Sequence, residues 1–264
     1  ARPLMPLDET RYAAVAWEMW LRQDWLVPFL NGAPYSHKPP LLFWLIGAGW
    51  GLFGVSEWWP RLVNPLLAVA DSALAAQLAT ALWPGEPAVA RRVPWLLAGG
   101  VAFVIFGQLL FFDLLLLLFV LGAALLLARR ATAWRGRDTL ALGALLAGGL
   151  LAKGPMVFLQ VLLPAIVAPL AVPGLRTDWR SLARAWLPRL ALAALLGLAF
   201  AGLWAIPAAL AGGPDYAGAI LWRQTAGRMV QSFAHVQPWW FYALALPALD
   251  LAWVVAVAAP AHDA

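Results

Sequence analysis

An acidic pair, Asp8-Glu9, lies in the segment PLDETRYAAVAWEM, directly before a run of apolar residues with helical spacing. A carboxylate can act as a general base toward an acceptor hydroxyl when a partly buried setting tunes its pKa. The same acids suit a helix N-terminus, where carboxylates cap the helix or interact favourably with its dipole. Both interpretations stay open here, and the sequence does not say which carboxylate would accept a proton.

Two lysines form the second candidate group, because only Lys38 and Lys153 among the eighteen basic residues are not arginines. Lys38 precedes Pro39-Pro40, which end any earlier helix and suit the first turn of the apolar segment that follows. Lys153 lies in LAKGP, a tight turn that is tolerated at membrane depth only inside protein or beside a water cavity. A lysine is a compact cation suited to phosphate, so we interpret the pair as a phosphate site. Snorkelling to the membrane surface is the alternative for Lys38.

Other charged residues are interpreted one by one. Asp113 precedes LLLLLFV, where an unpaired carboxylate is costly, so we expect it to face a partner or a cavity, or to cap the next helix. Arg223 and Arg228 are too far apart to share a helical face closely, and one of them is suited to a lipid phosphate. Asp71 is interpreted as a buried structural hydrogen-bond partner. Because cysteine is absent and the three histidines lack ligand spacing, we predict neither a metal site nor another cofactor.

Membrane-spanning helices must position these residues. The chain is 63% hydrophobic and 12% charged, with a mean hydropathy of +0.77, and apolar stretches recur along its whole length. A transmembrane helix needs roughly 20 mostly apolar residues. We therefore predict an all-α integral membrane protein, a multi-span helical bundle with about seven spans. The predicted spans cover residues 61–83, 93–112, 113–128, 140–152, 155–172, 190–210 and 241–259.

Residues 1–60 are predicted to form a first outer loop with amphipathic helices. In residues 11–21 the apolar side chains recur with helical spacing, which predicts a helix lying on the membrane surface. Residues 39–53 are apolar but short and interrupted by glycine, so we expect a helix at the interface. Residues 61–264 then form the transmembrane bundle, with an outer loop at 211–240. Because the chain opens on Ala rather than Met, we expect that preceding residues are missing.

The loops differ in charge, and this difference predicts orientation. One side carries ten arginines against three acids, which the positive-inside rule makes cytoplasmic. These arginines are Arg91, Arg92, Arg129, Arg130, Arg135, Arg137, Arg176, Arg180, Arg184 and Arg189. The candidate site residues all fall on the opposite, outer side. The net charge of +5 is interpreted as a sign of orientation rather than of nucleic-acid binding.

Five segments, in order, resemble the aminoarabinose transferase and protein O-mannosyltransferase superfamily of GT-C glycosyltransferases. They are LDETRYAAVAWEM at 7–19, NGAPYSHKPPLLFWL at 31–45, FFDLLLLLF at 111–119, LAKGP at 151–155 and WRQTAGR…PWWFY at 222–242. The resemblance implies a GT-C bundle that transfers a sugar, with inversion, from a polyprenyl-phosphate donor to a lipid A, protein or glycan acceptor. It places the active site on the outer face of the bacterial cytoplasmic (inner) membrane, among membrane lipids.

The resemblance also implies a role for each site residue. Asp8 and Glu9 would be the catalytic pair, with Asp8 the first choice as the base, and Asp113 a second acid of the outer cavity. The donor phosphate would be bound by Lys38, Lys153 and Arg228.

Two positions depart from the family pattern. His37 stands where the aminoarabinose enzymes have an acid before Lys-Pro-Pro, and Gln224-Thr225 replace their Glu-His. These differences argue against a metal site like theirs and against aminoarabinose as the sugar. The family also has a further span before the acidic pair and more spans plus a soluble part at the C-terminus, so we expect this chain to be a fragment. The alternative is a polytopic membrane transporter or lipid flippase, which also uses charges and broken helices.

Overall fold

The computed structural model describes residues 4–171, 180, 182–222 and 240–241, and nearly all of this part of the chain is helical. The helices are α1 (Asp8–Arg22), α2 (Leu41–Phe53), α3 (Trp58–Leu82), α4 (Pro87–Gly99), α5 (Val101–Gln108), α6 (Asp113–Arg130), α7 (Gly136–Lys153), α8 (Met156–Ala171) and α9 (Leu187–Gly218). A 3-10 turn follows α6 (Ala131–Ala133), and a π-helical turn precedes α9 (Leu182–Trp186). The only strands in the described residues are β1 (Phe29–Leu30) and β2 (Ala33–Pro34). The predicted all-α class is confirmed.

Three helical segments are long and apolar enough to cross a membrane, namely Trp58–Leu82, Asp113–Ala133 and Arg184–Trp222. The bent pair α4–α5 is a fourth if it counts as one broken span. Helix α7 has 18 residues, but three of them, Arg137, Asp138 and Lys153, are charged. Helix α8 has only 16 residues and contains two prolines. The described residues therefore hold fewer clear spans than the seven predicted, and the predicted span at 241–259 lies almost wholly outside them.

Two predicted boundaries are wrong because glycines interrupt the backbone. The span predicted at 93–112 is two helices bent by 70°, because Gly100 leaves helical geometry at ψ 119°. The loop predicted at 211–240 begins as helix, since α9 continues to Gly218 past a break at Gly213. Gly213 has φ 84° and ψ 174°, a conformation that residues with a side chain rarely adopt. The rest of that predicted loop lies outside the described residues, except for residues 219–222 and 240.

Helix α1 confirms the amphipathic pattern, but its apolar face is covered by protein rather than lying open to lipid. Tyr12, Val15 and Met19 are almost fully buried and belong to one cluster with Leu42 and Phe43 of α2. The apolar periodicity of α1 is therefore the signature of a helix packed into a core. The expectation of a helix whose apolar face rests on the membrane surface is corrected accordingly.

The hairpin between α1 and α2 turns through Asn31-Gly32, with φ values of 54° and 81°. Two positive φ values in a two-residue turn favour Asn-Gly, the most common pair for such hairpins. The carboxylate of Glu18 on α1 accepts hydrogen bonds from both turn N–H groups. This contact ties the hairpin to α1, and Lys38 follows directly on the way to α2.

Two tryptophan side chains attach the segment at residues 25–26 to α2 and to α9. Trp44 of α2 donates its indole N–H to the carbonyl of Trp25 at 2.7 Å. Trp204 of α9 donates to the carbonyl of Leu26 at 2.9 Å. Because each bond also buries a large ring beside a carbonyl that needs a partner, these residues hold the segment before the hairpin against both helices.

The bundle has two chemically different ends. At one, Lys153 of α7 pairs with Asp113 of α6; we call this the Asp113 end. At the other, Arg130 lies 3.8 Å from Asp138, and Arg129 donates to Gln77 of α3 at 3.3 Å; we call this the arginine end. Helix α6 connects the two ends over about 25 Å, at about 1.5 Å per residue. The lysine-bearing and arginine-bearing turns are therefore on opposite ends, as the loop charges predict.

Helices α7 and α9 approach each other closely at two glycines. A Cβ atom added to Gly143 would lie 2.7 Å from the Cβ of Leu196, and one added to Gly197 would lie 2.9 Å from the Cβ of Leu146. Small residues at such contacts let helix backbones approach, which is the common packing device between membrane helices. This contact fixes the direction of α7, the helix that ends at Lys153.

Asp71, in the middle of α3, departs from its predicted role. It is fully buried, as predicted, but neither of its carboxylate oxygens has a hydrogen-bond partner among the residues that the structure describes. A buried polar group without a partner costs stability. The interpretation of Asp71 as a hydrogen-bonded structural residue is therefore wrong.

We expect Asp71→Leu to raise the free energy of unfolding of the full-length protein by about 1–3 kcal/mol, because an unpartnered buried polar group is removed. Thermal denaturation in detergent measures the change. Asn64→Leu, on the same helix, is the matched control, since Asn64 is equally buried but donates two hydrogen bonds, so its loss should lower stability. A lower melting temperature for Asp71→Leu would mean that Asp71 does have a stabilising partner.

Candidate active site

The charged residues at the Asp113 end centre on the ion pair between Lys153 and Asp113. Lys153 is the last residue of α7, and Gly154 directly after it has φ 86°, which lets the chain turn sharply into α8. Asp113 is the first residue of α6 and does not cap it with its side chain. Its carboxylate instead accepts a hydrogen bond from the Lys153 ammonium. Of the two predicted roles for Asp113, facing a partner is confirmed and capping is not.

A cavity of about 600 Å³ opens beside this ion pair. Besides the pair and Gln160, its walls are apolar. They are formed by Ala102, Phe103, Phe106, Leu114, Leu116, Leu117, Val120 and Met156. An elongated apolar molecule with a charged group at one end is the chemical class that matches such a lining.

Lys38 lies near the residue directly before Asp113. Its ammonium lies 5.5 Å from the centre of the Phe112 ring, within the range of a cation–π contact. Phe112 is almost fully buried, and its ring also packs edge-on against Tyr12 at 4.9 Å and Phe43 at 5.6 Å. The structure therefore brings both lysines to the consecutive residues Phe112 and Asp113.

The acidic pair is split between two environments. The side chain of Asp8 is 46% exposed, and its Oδ1 lies 3.8 Å from Nη1 of Arg11. Glu9 is only 1% exposed, and its two oxygens accept hydrogen bonds of 2.6 Å from the backbone N–H groups of Met5 and Leu110. Both acids lie in the first turn of α1, but neither caps the helix with its side chain. Asp8 has access to a second molecule, whereas the lone pairs of Glu9 are engaged by backbone.

Tyr12 contacts a candidate site residue, and the sequence interpretation missed it. Its hydroxyl lies 3.5 Å from Oδ1 of Asp8, one helical turn along α1. Burial, followed by the charge of Asp8, raises the pKa of Tyr12 above its ordinary value, so the hydroxyl keeps its proton and remains a donor. The i to i+4 spacing within DETRY is the signal that could have found it.

Asn64 of α3 is the second missed residue. It is 1% exposed, and its amide nitrogen donates to the carbonyls of Phe106 and Phe111 at 3.1 and 3.0 Å. These contacts span 42 and 47 residues of sequence, so no local pattern points to them.

Arg228, the third predicted phosphate binder, lies outside the described residues, as does Arg223. Within the part of the chain that the structure describes, His, Asp and Glu side chains form no group of three that could hold a metal ion. Asp8, Glu9, Lys38, Asp113 and Lys153 are described, and their roles stay predictions.

Comparison with known proteins gives a match to one protein family. The family model, described as dolichyl-phosphate-mannose-protein mannosyltransferase, matches residues 37–204, which is more than half of the chain. The matched part contains Lys38, Asp113 and Lys153.

Curated relatives include two bacterial proteins that are both called undecaprenyl phosphate-alpha-4-amino-4-deoxy-L-arabinose arabinosyl transferase. The relative from Pseudomonas fluorescens (strain Pf0-1), whose name ends in the number 2, is 30% identical over 257 residues. The match covers 94% of this chain and 44% of the relative. The one from Pseudomonas aeruginosa (strain LESB58) is 32% identical over 253 residues, covering 93% and 44%. The chain thus spans less than half the length of the curated relatives it matches.

A solved structure has the same fold. The crystal structure of ArnT from Cupriavidus metallidurans bound to undecaprenyl phosphate superposes with a TM-score of 0.73 at 22% sequence identity, covering 96% of this chain and 45% of that one. The apo crystal structure of the same protein gives a TM-score of 0.71. The family model matches more than half of the chain, which folds as an apolar helical bundle with an ion pair lining its cavity; this chain therefore belongs to the dolichyl-phosphate-mannose-protein mannosyltransferase family.

Proposed function

We propose that the full-length protein is an inverting membrane glycosyltransferase that moves a sugar from a polyprenyl-phosphate donor to a lipid A, protein or glycan acceptor. The observation that carries the proposal is the mostly apolar cavity that Asp113 and Lys153 help to line. In this proposal an isoprenoid chain lies against the apolar walls, and its phosphate contacts the lysine among them. The name of the curated relatives, which contains undecaprenyl phosphate, supports a donor of this class.

Lys38 and Lys153, together with Arg228, hold the donor phosphate in this proposal. Cations placed where negative charge develops stabilise the transition state without forming a covalent bond to substrate. Lys153 already carries a carboxylate partner in Asp113, so its ammonium is held in place before donor arrives. A phosphate oxygen would share that ammonium with Asp113, and Asp113 would limit how far the lysine moves.

Asp8 is the proposed general base. The acceptor hydroxyl oxygen forms a bond to the anomeric carbon while the bond from that carbon to the phosphate oxygen breaks. The electron pair of the breaking bond leaves with the polyprenyl phosphate, and Asp8 takes the hydroxyl proton. Partial exposure of Asp8 allows an acceptor to reach it. The protonated Tyr12 hydroxyl would orient the carboxylate by donating to it.

The proposed orientation places the Asp113 end, with residues 1–60, on the outer face of the bacterial cytoplasmic membrane. The support is that Arg129 and Arg130 lie at the opposite end, and that short arginine-rich loops stay cytoplasmic. This orientation gives the site access to acceptors outside the cytoplasm. It also lets a lipid-linked donor enter from the membrane.

The test is transfer from a panel of radiolabelled polyprenyl-phosphate sugars, using membranes that contain the full-length protein. The panel should include 4-amino-4-deoxyarabinose and common hexoses, because His37 and Gln224-Thr225 depart from the aminoarabinose pattern. Lipid A, protein and glycan fractions are then separated to find the labelled acceptor. Transfer from at least one donor is expected, and folded protein that transfers from none would refute the proposal and favour a transporter or flippase.

A further inference from the structure

The connection between α5 and α6, residues 109–112, leads directly into Asp113 and is held by side chains from two other helices. In a continuing α-helix, the carbonyl of Phe106 would accept from the N–H of Leu110. Here α5 ends at Gln108, and that hydrogen bond is replaced. Asn64 of α3 donates to the Phe106 carbonyl, and Glu9 of α1 accepts from the Leu110 N–H.

Both replacements are buried and specific. Asn64 and Glu9 are each 1% exposed, so water cannot substitute for either side chain. Asn64 makes a second bond of 3.0 Å to the carbonyl of Phe111, and Glu9 makes its second bond to Met5. A buried backbone group that loses such a partner is left unsatisfied at a substantial free-energy cost.

The segment held in this way carries the contacts of the proposed phosphate site. Phe112 packs against Tyr12 and lies beneath the Lys38 ammonium, and Asp113 binds Lys153. A displacement of the connection would therefore move the partners of both lysines together.

We propose that Asn64 and Glu9 are positioning residues that fix the turn from α5 into α6 and thereby set Asp113 and Lys153 for the donor phosphate. This inference rests on the proposed function. It assigns Glu9 a role different from that of Asp8: Glu9 holds the backbone, and Asp8 takes the proton. It also explains why a helix distant in sequence contributes a buried amide to this end of the bundle.

The chemistry of Asn64 allows an isosteric test. Within the described part of the chain its side-chain oxygen has no hydrogen-bond partner, so the two donated bonds carry the effect. Asn64→Asp keeps the shape and leaves at most one donor, that of the protonated carboxyl group, whereas Asn64→Leu removes both donors at similar volume. Thr139→Val is the matched control, because Thr139 is also buried and accepts the Trp134 indole N–H at 2.8 Å, but at the arginine end.

The experiment measures sugar transfer and the dissociation constant of labelled polyprenyl phosphate for the full-length protein, below the melting temperature of each variant. Asn64→Leu and Asn64→Asp are expected to weaken phosphate binding and kcat/KM by about 10-fold, the usual scale for losing hydrogen bonds to buried groups. In an Asp113→Asn background the same changes should weaken binding less than about twofold, because positioning acts through Asp113. Thr139→Val should leave both quantities unchanged.

If the Asn64 variants lose donor binding equally in the wild-type and the Asp113→Asn backgrounds, Asn64 only stabilises the fold. Unaltered donor binding by folded Asn64 variants would also overturn the inference. If these variants do not fold, Glu9→Gln gives the same test, since the amide cannot accept from both backbone N–H groups. Its expected loss of about 10-fold should likewise shrink in the Asp113→Asn background. Wild-type protein that neither binds nor transfers would instead refute the proposed function.

Discussion

Sugar transfer by the full-length protein is expected to fall about 100- to 10,000-fold when Asp8 is replaced by Asn, which is the usual contribution of a positioned general base. The amide has nearly the same shape but cannot take the acceptor proton. The loss should fall on kcat, with donor binding little changed, because the proposed role of Asp8 is to take the acceptor proton and not to bind the donor phosphate. Initial rates at saturating donor, with the amount of folded protein measured in the same membranes, give the number.

Two other acids serve as controls for Asp8→Asn. Glu57→Gln changes an exposed carboxylate that pairs with Arg61, and transfer should be unaltered. Glu9→Gln should lower transfer by only about 10-fold, the scale of a lost buried hydrogen bond. If Glu9→Gln abolished transfer while Asp8→Asn did not, the roles proposed for the two carboxylates would be reversed.

Combined replacement of Lys38 and Lys153 by Ala is expected to weaken binding of a polyprenyl-phosphate donor by at least about 100-fold. Hydrogen bonds that involve a charged group contribute roughly 1.5–3 kcal/mol each, and 1.4 kcal/mol corresponds to about tenfold in affinity. Binding of a labelled donor to the detergent-solubilised full-length protein measures the effect. Binding that is unchanged in the folded double variant would contradict the proposed phosphate site.

The ion pair complicates the Lys153→Ala change, because Asp113 would be left with an uncompensated charge. Adding Asp113→Asn to the double variant removes that charge, and binding should remain weak if the lysines themselves hold the phosphate. Arg129→Ala removes one positive charge at the arginine end, where Arg129 contacts Gln77. It should not alter donor binding, so a loss there would indicate a general electrostatic effect.

Local sequence patterns predicted those features whose causes are local. The apolar period of α1 and the prolines before α2 each lie within a short segment. The rarity of lysine is visible in the composition, and the structure brings Lys38 and Lys153 to one end. The resemblance to known glycosyltransferases depended on five segments that occur in the same order as in that superfamily. It also led to the family that the comparison with known proteins shows.

Other features depend on packing between distant segments, and no local pattern contains them. The contact of Glu9 with Leu110 joins residues 101 positions apart, so the sequence could not distinguish a buried backbone partner from a proton acceptor. The bend at Gly100 was missed because the hydropathy of residues 93–112 is continuous. Asp71 was assigned a hydrogen-bond partner from burial alone, and burial does not supply one.

The neutrality of the Asp113–Lys153 pair bears on which phosphates the protein would select. Because the carboxylate offsets the ammonium, the pair itself attracts free anions only weakly. Inorganic phosphate and nucleotides would gain little from it, and they have no chain to place against the apolar walls of the cavity. A phosphate anchored to an isoprenoid would gain from burying that chain at roughly 25 cal/mol per Å². The protein would then discriminate against soluble phosphates through the apolar isoprenoid chain of the donor rather than through its charge.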